Sequence, residues 1–242
     1  MYTFTSSYSG SQSIEGVSKT QQVPYGTMVS ALDPVWGGGE FIYGKAGAAI
    51  RPGALCILNI TFNATLDEYT FSFSEATNVL NSGFQIFVNI GEAKATDEFG
   101  WFAMAGFTPL FCNALLTSGV PVGQVAGGQA GVPIAGRQLL GIRVHQGGTQ
   151  ALVKPMSLGK PNDDIIRFRD WGGLFVGGYL SGTGVGTGAQ IVSLDSTNGT
   201  ARVSVANTAA GIGGSVTQTA NNGTVYYNLC SFNRMHAQGQ IV

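Results

Sequence analysis

Apolar and polar residues alternate in short runs along this chain, and almost every run ends near a glycine. The clearest alternation is Tyr69-Thr70-Phe71-Ser72-Phe73, a period of two that marks a half-buried strand. Strands are also read at residues 27–32, 40–46, 54–60 and 84–93. In residues 99–107 the aromatics fall at uneven spacing, so both faces of that strand are expected to be covered. Later candidates are residues 139–145, 151–155, 190–194, 201–206, 214–219 and 224–232. Residues 119–136 hold two Val-Pro pieces and read as a long loop or as very short strands around glycines.

The punctuation between these runs is turn chemistry. Asp33-Pro34 turns the chain, and Gly37-Gly38-Gly39 reads as too flexible for a helix or a sheet interior. In Arg51-Pro52-Gly53 the proline precedes glycine, as type II turns prefer. Gln146-Gly147-Gly148-Thr149 reads as a hairpin-like turn between its flanking strands. Asn198-Gly199 and Asn222-Gly223 are strong hairpin signals. No stretch keeps a helical period, because glycines recur at about 1 kcal/mol per interior helical site. The expected fold is all-β: β-sandwich or barrel-like domains with Gly-rich loops and an extended N-terminal arm.

Three portions are expected. Residues 1–22, rich in Ser, Thr, Tyr and Gln, read as the arm, which could lie along a neighbour in an oligomer. Residues 23–159 form a β-rich domain. Residues 160–242 form a second β-rich portion, opening on the polar run Lys160-Pro161-Asn162-Asp163-Asp164.

Composition turns this pattern toward function. Only 10% of residues are charged and 37 of 242 are Gly, against about 25% and about 7% in ordinary soluble domains. Little like-charge repulsion keeps copies of such a protein apart, so it is expected to live against itself or a larger partner. The net charge is -1 with no basic block, which argues against direct nucleic-acid binding. No run approaches the ~20 apolar residues of a membrane span. The polar first ten residues do not resemble a secretory signal, so assembly in a cytoplasm is expected.

Candidate chemistry is sparse. Cys56, Cys112 and Cys230 are odd in number and widely spaced, so they read as small buried hydrophobes. His145 and His236 have no second histidine at metal-ligand spacing. Asp163-Asp164, Asp67 with Glu68, and Asp97-Glu98 read as solvated turns rather than cation sites. Residues 182–188 have the Gly-x-Gly spacing of phosphate loops, but a strand-like run follows where a helix N-terminus is needed. Ser157 and Ser181 lack a nucleophile elbow. Trp36, Trp101 and Trp171 lie close to glycines and read as core or interface side chains, or as sugar-stacking platforms. No catalytic residue, cofactor or metal ligand is assigned.

Four pieces carry a resemblance. They are Gly26-Thr27-Met28-Val29, the run from Glu40 to Ala48, Ile50-Arg51-Pro52-Gly53, and the run from Phe99 to Gly106. Together they span about a third of the chain, which there resembles the decoration or cement proteins of tailed-bacteriophage heads. The resemblance implies a β-rich protein, often trimeric, that binds the outside of an icosahedral shell where major capsid protein subunits meet. It would be a homotrimer on the virion surface, with no catalytic residues. An alternative is a fibre or spike module that binds host-surface glycans through Trp36 and Trp171. A polysaccharide-active enzyme would require a convergent carboxylate pair.

Overall fold

The computed structural model describes residues 3–4, 12–33, 36–65, 67–79, 82–146, 152–158, 161–170, 172–195, 198–209, 213–219 and 226–238. Essentially all of the regular structure is β, arranged in two sheets.

The larger sheet starts with β1 (Thr3–Phe4), β2 (Met28–Asp33), β3 (Gly37–Ala46), β4 (Leu55–Asn63) and β5 (Glu68–Glu75). It continues with β6 (Ile86–Asn89), β7 (Phe99–Cys112), β8 (Val122–Gln124), β9 (Ala130–Gly131) and β10 (Gln138–Gln146). The smaller sheet comprises β11 (Leu152–Leu158), β12 (Ile165–Phe168), β13 (Tyr179–Ser181), β14 (Ile191–Asp195), β15 (Thr200–Val203) and β16 (Gly213–Thr219). The last strand, β17 (Tyr226–Ala237), returns to the larger sheet between β7 and β10. The smaller sheet is therefore an insertion between two neighbouring strands of the larger one. Sheet membership changes before β11 and again before β17.

β7 is the hub. Its first half pairs with β3 and β6, its second half with β17, and Cys112 with Ala130 of β9. Pairing thus runs β3-β5-β4-β6-β7 and back to β3, and separately β7-β17-β10-β8-β9 and back to β7. Both faces of β7 are covered, as its uneven aromatics suggested. Trp101 belongs to one apolar cluster with Phe41, Tyr43 and Val88, and Phe102 to another with Phe73 and Phe87. Phe73 stacks on Phe102 at 3.9 Å and meets Phe87 edge-on at 5.1 Å. Such pairs add about 0.5–1.5 kcal/mol each beyond the area they bury.

The glycine run 37–39 is strand, contrary to its reading as a flexible break. Gly39 pairs with Ala31, and a Cβ there would lie 2.7 Å from the Phe41 ring and 3.0 Å from the Ala105 carbonyl. Opposite, Gly106 holds φ at 136°, with its Cβ position 3.1 Å from Gly39 Cα. β3 and β7 approach so closely at this register shift that neither strand has room for a side chain.

The described part of the arm lies against its own sheet. Ile14 is fully buried in the core, and the Trp101 indole Nε1 donates to the Gln12 carbonyl at 3.0 Å. Ser18 bridges to Phe99. Residues 5–11 fall outside the described residues. The expected hairpin between residues 139–145 and 151–155 is not formed, because β10 pairs with β8 and β17 while β11 pairs with β12 and β16. The turn itself, 147–150, is outside the described residues, as is Asn222-Gly223. By contrast, Asn198-Gly199 does precede an antiparallel return, β14 onto β15.

In the smaller sheet the order is β13-β16-β11-β12-β15-β14, and the bridge Tyr179–Gln190 brings the end beside the start. Alternate side chains, among them Met156, Leu158, Ile166, Phe168, Ala201 and Val216, fill its own core. Phe175 connects the two units by packing edge-on against Tyr227 at 5.4 Å.

Candidate interaction surface

β4 and β5 pair over their whole lengths, from Cys56–Glu75 to Asn63–Glu68. Their other neighbours are much shorter. β6 meets β4 only at residues 55–57, and β3 meets β5 only at Ser72 and Phe73. Among the described residues, 59–63 and 68–71 therefore form a two-stranded ribbon that overhangs the sheet. An isolated two-stranded ribbon is marginal in water. This one nonetheless carries large apolar groups outward: Ile60, Phe62 and Tyr69 are 58%, 49% and 62% exposed. Phe62 and Tyr69 pair directly across the ribbon, ring centroids 5.0 Å apart.

A second apolar stripe runs along β2, whose odd-numbered residues Val29, Ala31 and Asp33 are buried while Met28, Ser30 and Leu32 face out. β1 covers only Ala31 and Leu32. Beside the stripe lie shallow grooves of about 250 and 340 Å³, each bordered by Ser30 and Glu40. Glu40 meets Arg234 of β17 at 3.3 Å, placing one exposed ion pair on an otherwise apolar and glycine-rich face.

Beneath the larger sheet sits a polar centre that the sequence did not suggest. Lys94 is buried, its Nζ donating to Asn89 Oδ1 and, at 3.4 Å, to the Ile90 carbonyl. Asn89 Nδ2 donates to the carbonyls of Arg51 and Glu92 at 3.0 and 3.2 Å. Burial lowers the Lys94 pKa to about 8, opposed by Cys56, Glu92 and Glu98. Gly100 leaves room for the lysine stem, since a Cβ there would collide with Lys94 Cε. The adjoining crevice, bordered by Glu15, Trp36, Asn89 and Phe175, has about 30 Å³, roughly the room of one water. Burial also raises the Glu15 and Glu92 carboxyls. This centre pins the loop between β6 and β7.

The residues singled out from sequence scatter. Exposed His145 bonds to Ser231 Oγ at 2.6 Å, while His236 Nδ1 lies 3.4 Å from the Arg234 carbonyl. Asp164 pairs with Arg202 at 2.8 Å, and Asp163 caps Ile165 N at 3.2 Å. Asp97 pairs with Lys45 at 2.8 Å, and Glu98 accepts from Ala95 N at 2.7 Å. Asp67 is an exposed turn residue at the ribbon end. Among the described residues no cluster of three or more His, Cys, Asp or Glu side chains could hold a metal.

Residues 182–188 are followed by β14, not by a helix. Gly184 O accepts from Thr208 N at 2.8 Å, and Val185 enters the smaller core. Ser181 Oγ lies 3.5 Å from the Thr217 carbonyl. All three cysteines are free and buried, as read, and burial pushes each thiol upward, that of Cys112 to about 12. Trp101 is core, Trp36 stacks on Phe107 at 5.7 Å, and Trp171 lies outside the described residues.

No family model, curated protein or solved structure matches the chain.

Proposed function

We propose that this protein is a non-enzymatic structural component of a bacteriophage virion. It binds the outer surface of an icosahedral capsid as a homotrimer and stabilises junctions between major capsid protein subunits. The observation that carries this reading is the overhanging β4–β5 ribbon, whose exposed Ile60, Phe62 and Tyr69 are covered by no third strand among the described residues. A partner surface supplies that cover. Aromatic side chains on such a projection are the kind that dominate binding energy. Sparse charge keeps the desolvation cost of close contact low, and three linked copies multiply weak contacts through effective concentration.

We further read the pairing circuits as small closed barrels, which hide strand edges that few charges are available to protect. Assembly takes place in the host cytoplasm, and the working location is the capsid surface. The test is to add purified protein to expanded shells that lack it and to measure occupancy by electron microscopy. Saturable occupancy at subunit junctions supports the reading; absence of bound protein at micromolar concentrations overturns it.

A further inference from the structure

We propose that the outer face of the smaller sheet, across β11 and β12, binds a saccharide bearing an oxyanion, whose carboxylate or phosphate is held between Arg167 and Arg169. The site is independent of the capsid-binding reading and lies on the other sheet from the ribbon.

Arg167 lies on the outward face of β12, Arg169 follows in the bend just past the strand's end, and both border one groove. Ile166 and Phe168 point into the core, and both arginines are exposed. Ser157 of β11 stands directly opposite Arg167. The groove between the strands has a volume of about 360 Å³ and is bordered by Pro155, Ser157, Arg167, Arg169 and Gly214. That volume falls in the range of about 300–1,000 Å³ typical of small-molecule sites. At Gly214 nothing lies within 4 Å of a Cβ position, so the groove is open on that side.

Other cations of the smaller sheet have partners: Lys154, on the inward side of β11, is matched by Asp170 at 2.5 Å, and exposed Arg202 by Asp164 at 2.8 Å. The Arg167 and Arg169 guanidiniums have neither an ion pair nor a hydrogen bond among the described residues. Two neighbouring guanidiniums repel each other until an anion sits between them, and each presents a planar fork that matches the paired oxygens of carboxylate or phosphate.

The remaining geometry selects the carrier of that anion. β11 is paired on both sides, by β12 and β16, and β12 by β11 and β15. No free edge is available here for a peptide to add as a strand, so the ligand must lie on the face and be read by side chains. The Pro155 ring offers an apolar plate, and the Ser157 hydroxyl gives and accepts hydrogen bonds. A sugar ring with an acidic substituent presents the complementary groups: an apolar face, hydroxyls and an oxyanion.

The test is a titration of the full-length protein followed by amide chemical shifts, using digalacturonate, glucose 6-phosphate, neutral maltose, inorganic phosphate and an acidic peptide. At least one anionic sugar is expected to saturate, moving the signals of Ser157, Arg167, Arg169 and Gly214. Which of the two binds distinguishes carboxylate from phosphate. Maltose, inorganic phosphate and the peptide should each bind at least tenfold more weakly.

R167A/R169A should lose at least tenfold in affinity while keeping nearly the wild-type midpoint in urea unfolding. R167K/R169K, which keeps the charge but not the fork, should fall between, and it carries the test if the alanine variant does not fold. The proposal is overturned by any of four results: equal binding of maltose, equal binding of phosphate or peptide, shifts confined to another face, or no response to either anionic sugar up to about 10 mM, beyond the millimolar regime of weak specific sites.

Discussion

Phe62 and Tyr69 face each other across the β4–β5 ribbon at 5.0 Å, beyond the last residues that β3 and β6 contact. A cross-strand aromatic pair stabilises a ribbon by about 0.2–1 kcal/mol. That is little reward for leaving both rings in water, so the pair makes more sense as half of a contact.

The first expectation follows from that imbalance. F62S/Y69S should lower folding stability by no more than about 1 kcal/mol, measured by urea denaturation. The same variant should reduce capsid occupancy at least tenfold. Because the chain carries a net charge of -1, wild-type occupancy should change little between low and moderate salt.

Lys94 gives a pH test. Its folded pKa is about 8 against an ordinary value of 10.5, with burial as the leading cause. Between these values the unfolded chain holds the proton and the folded protein has released it, so this group makes stability rise with pH. Below about 8 both states are protonated and the full cost, about 3 kcal/mol, is present. Wild type should therefore gain on K94M by roughly that amount from pH 8 to pH 10.5. Ionisation of the other buried groups opposes stability in both proteins and largely cancels in the comparison. A stability difference that stays constant with pH contradicts the placement of Lys94.

The close approach of β3 and β7 yields a mutational test. G106A imposes a Cβ at φ 136°, 3.1 Å from Gly39 Cα, and should cost about 1–3 kcal/mol in denaturant unfolding. G214A, with open space around its Cβ position, should cost far less.

Thiol chemistry checks the cores. Cys56, Cys112 and Cys230 are buried and free, with their thiols shifted upward. A thiol reagent at pH 8 should label none of them in the native protein and all of them in denaturant.

Much of the fold was legible because burial follows alternation. Met28, Ser30 and Leu32 face out while Val29 and Ala31 face in, and the uneven aromatics of β7 do serve two faces. What could not be read was long-range. Nothing local tells that Gly39 must admit Phe41 and Ala105, so a glycine run that looked like a break is a strand. The glycines after Gln146 signalled a turn, but not that β10 and β11 belong to different sheets. Ile14 has only Val17 for apolar company in its polar stretch, too weak a pattern to announce that the segment is anchored in the core.

The candidate surfaces show the same division. Phe62 and Tyr69 are visible in sequence, yet their exposure depends on where β3 and β6 stop. Arg167 and Arg169 are close in sequence, but only strand pairing sets Ser157 against Arg167. Lys94 belongs to no motif in the sequence, since its burial against Asn89 depends on the shape of a loop.

The most direct measurement is electron microscopy of expanded capsid shells incubated with wild-type protein and with F62S/Y69S. The expected result is density for trimers at subunit junctions, with the β4–β5 ribbon against the shell, and at least tenfold lower occupancy for the variant. Equal occupancy by both proteins, or trimers bound with the ribbon directed into solvent, would contradict it.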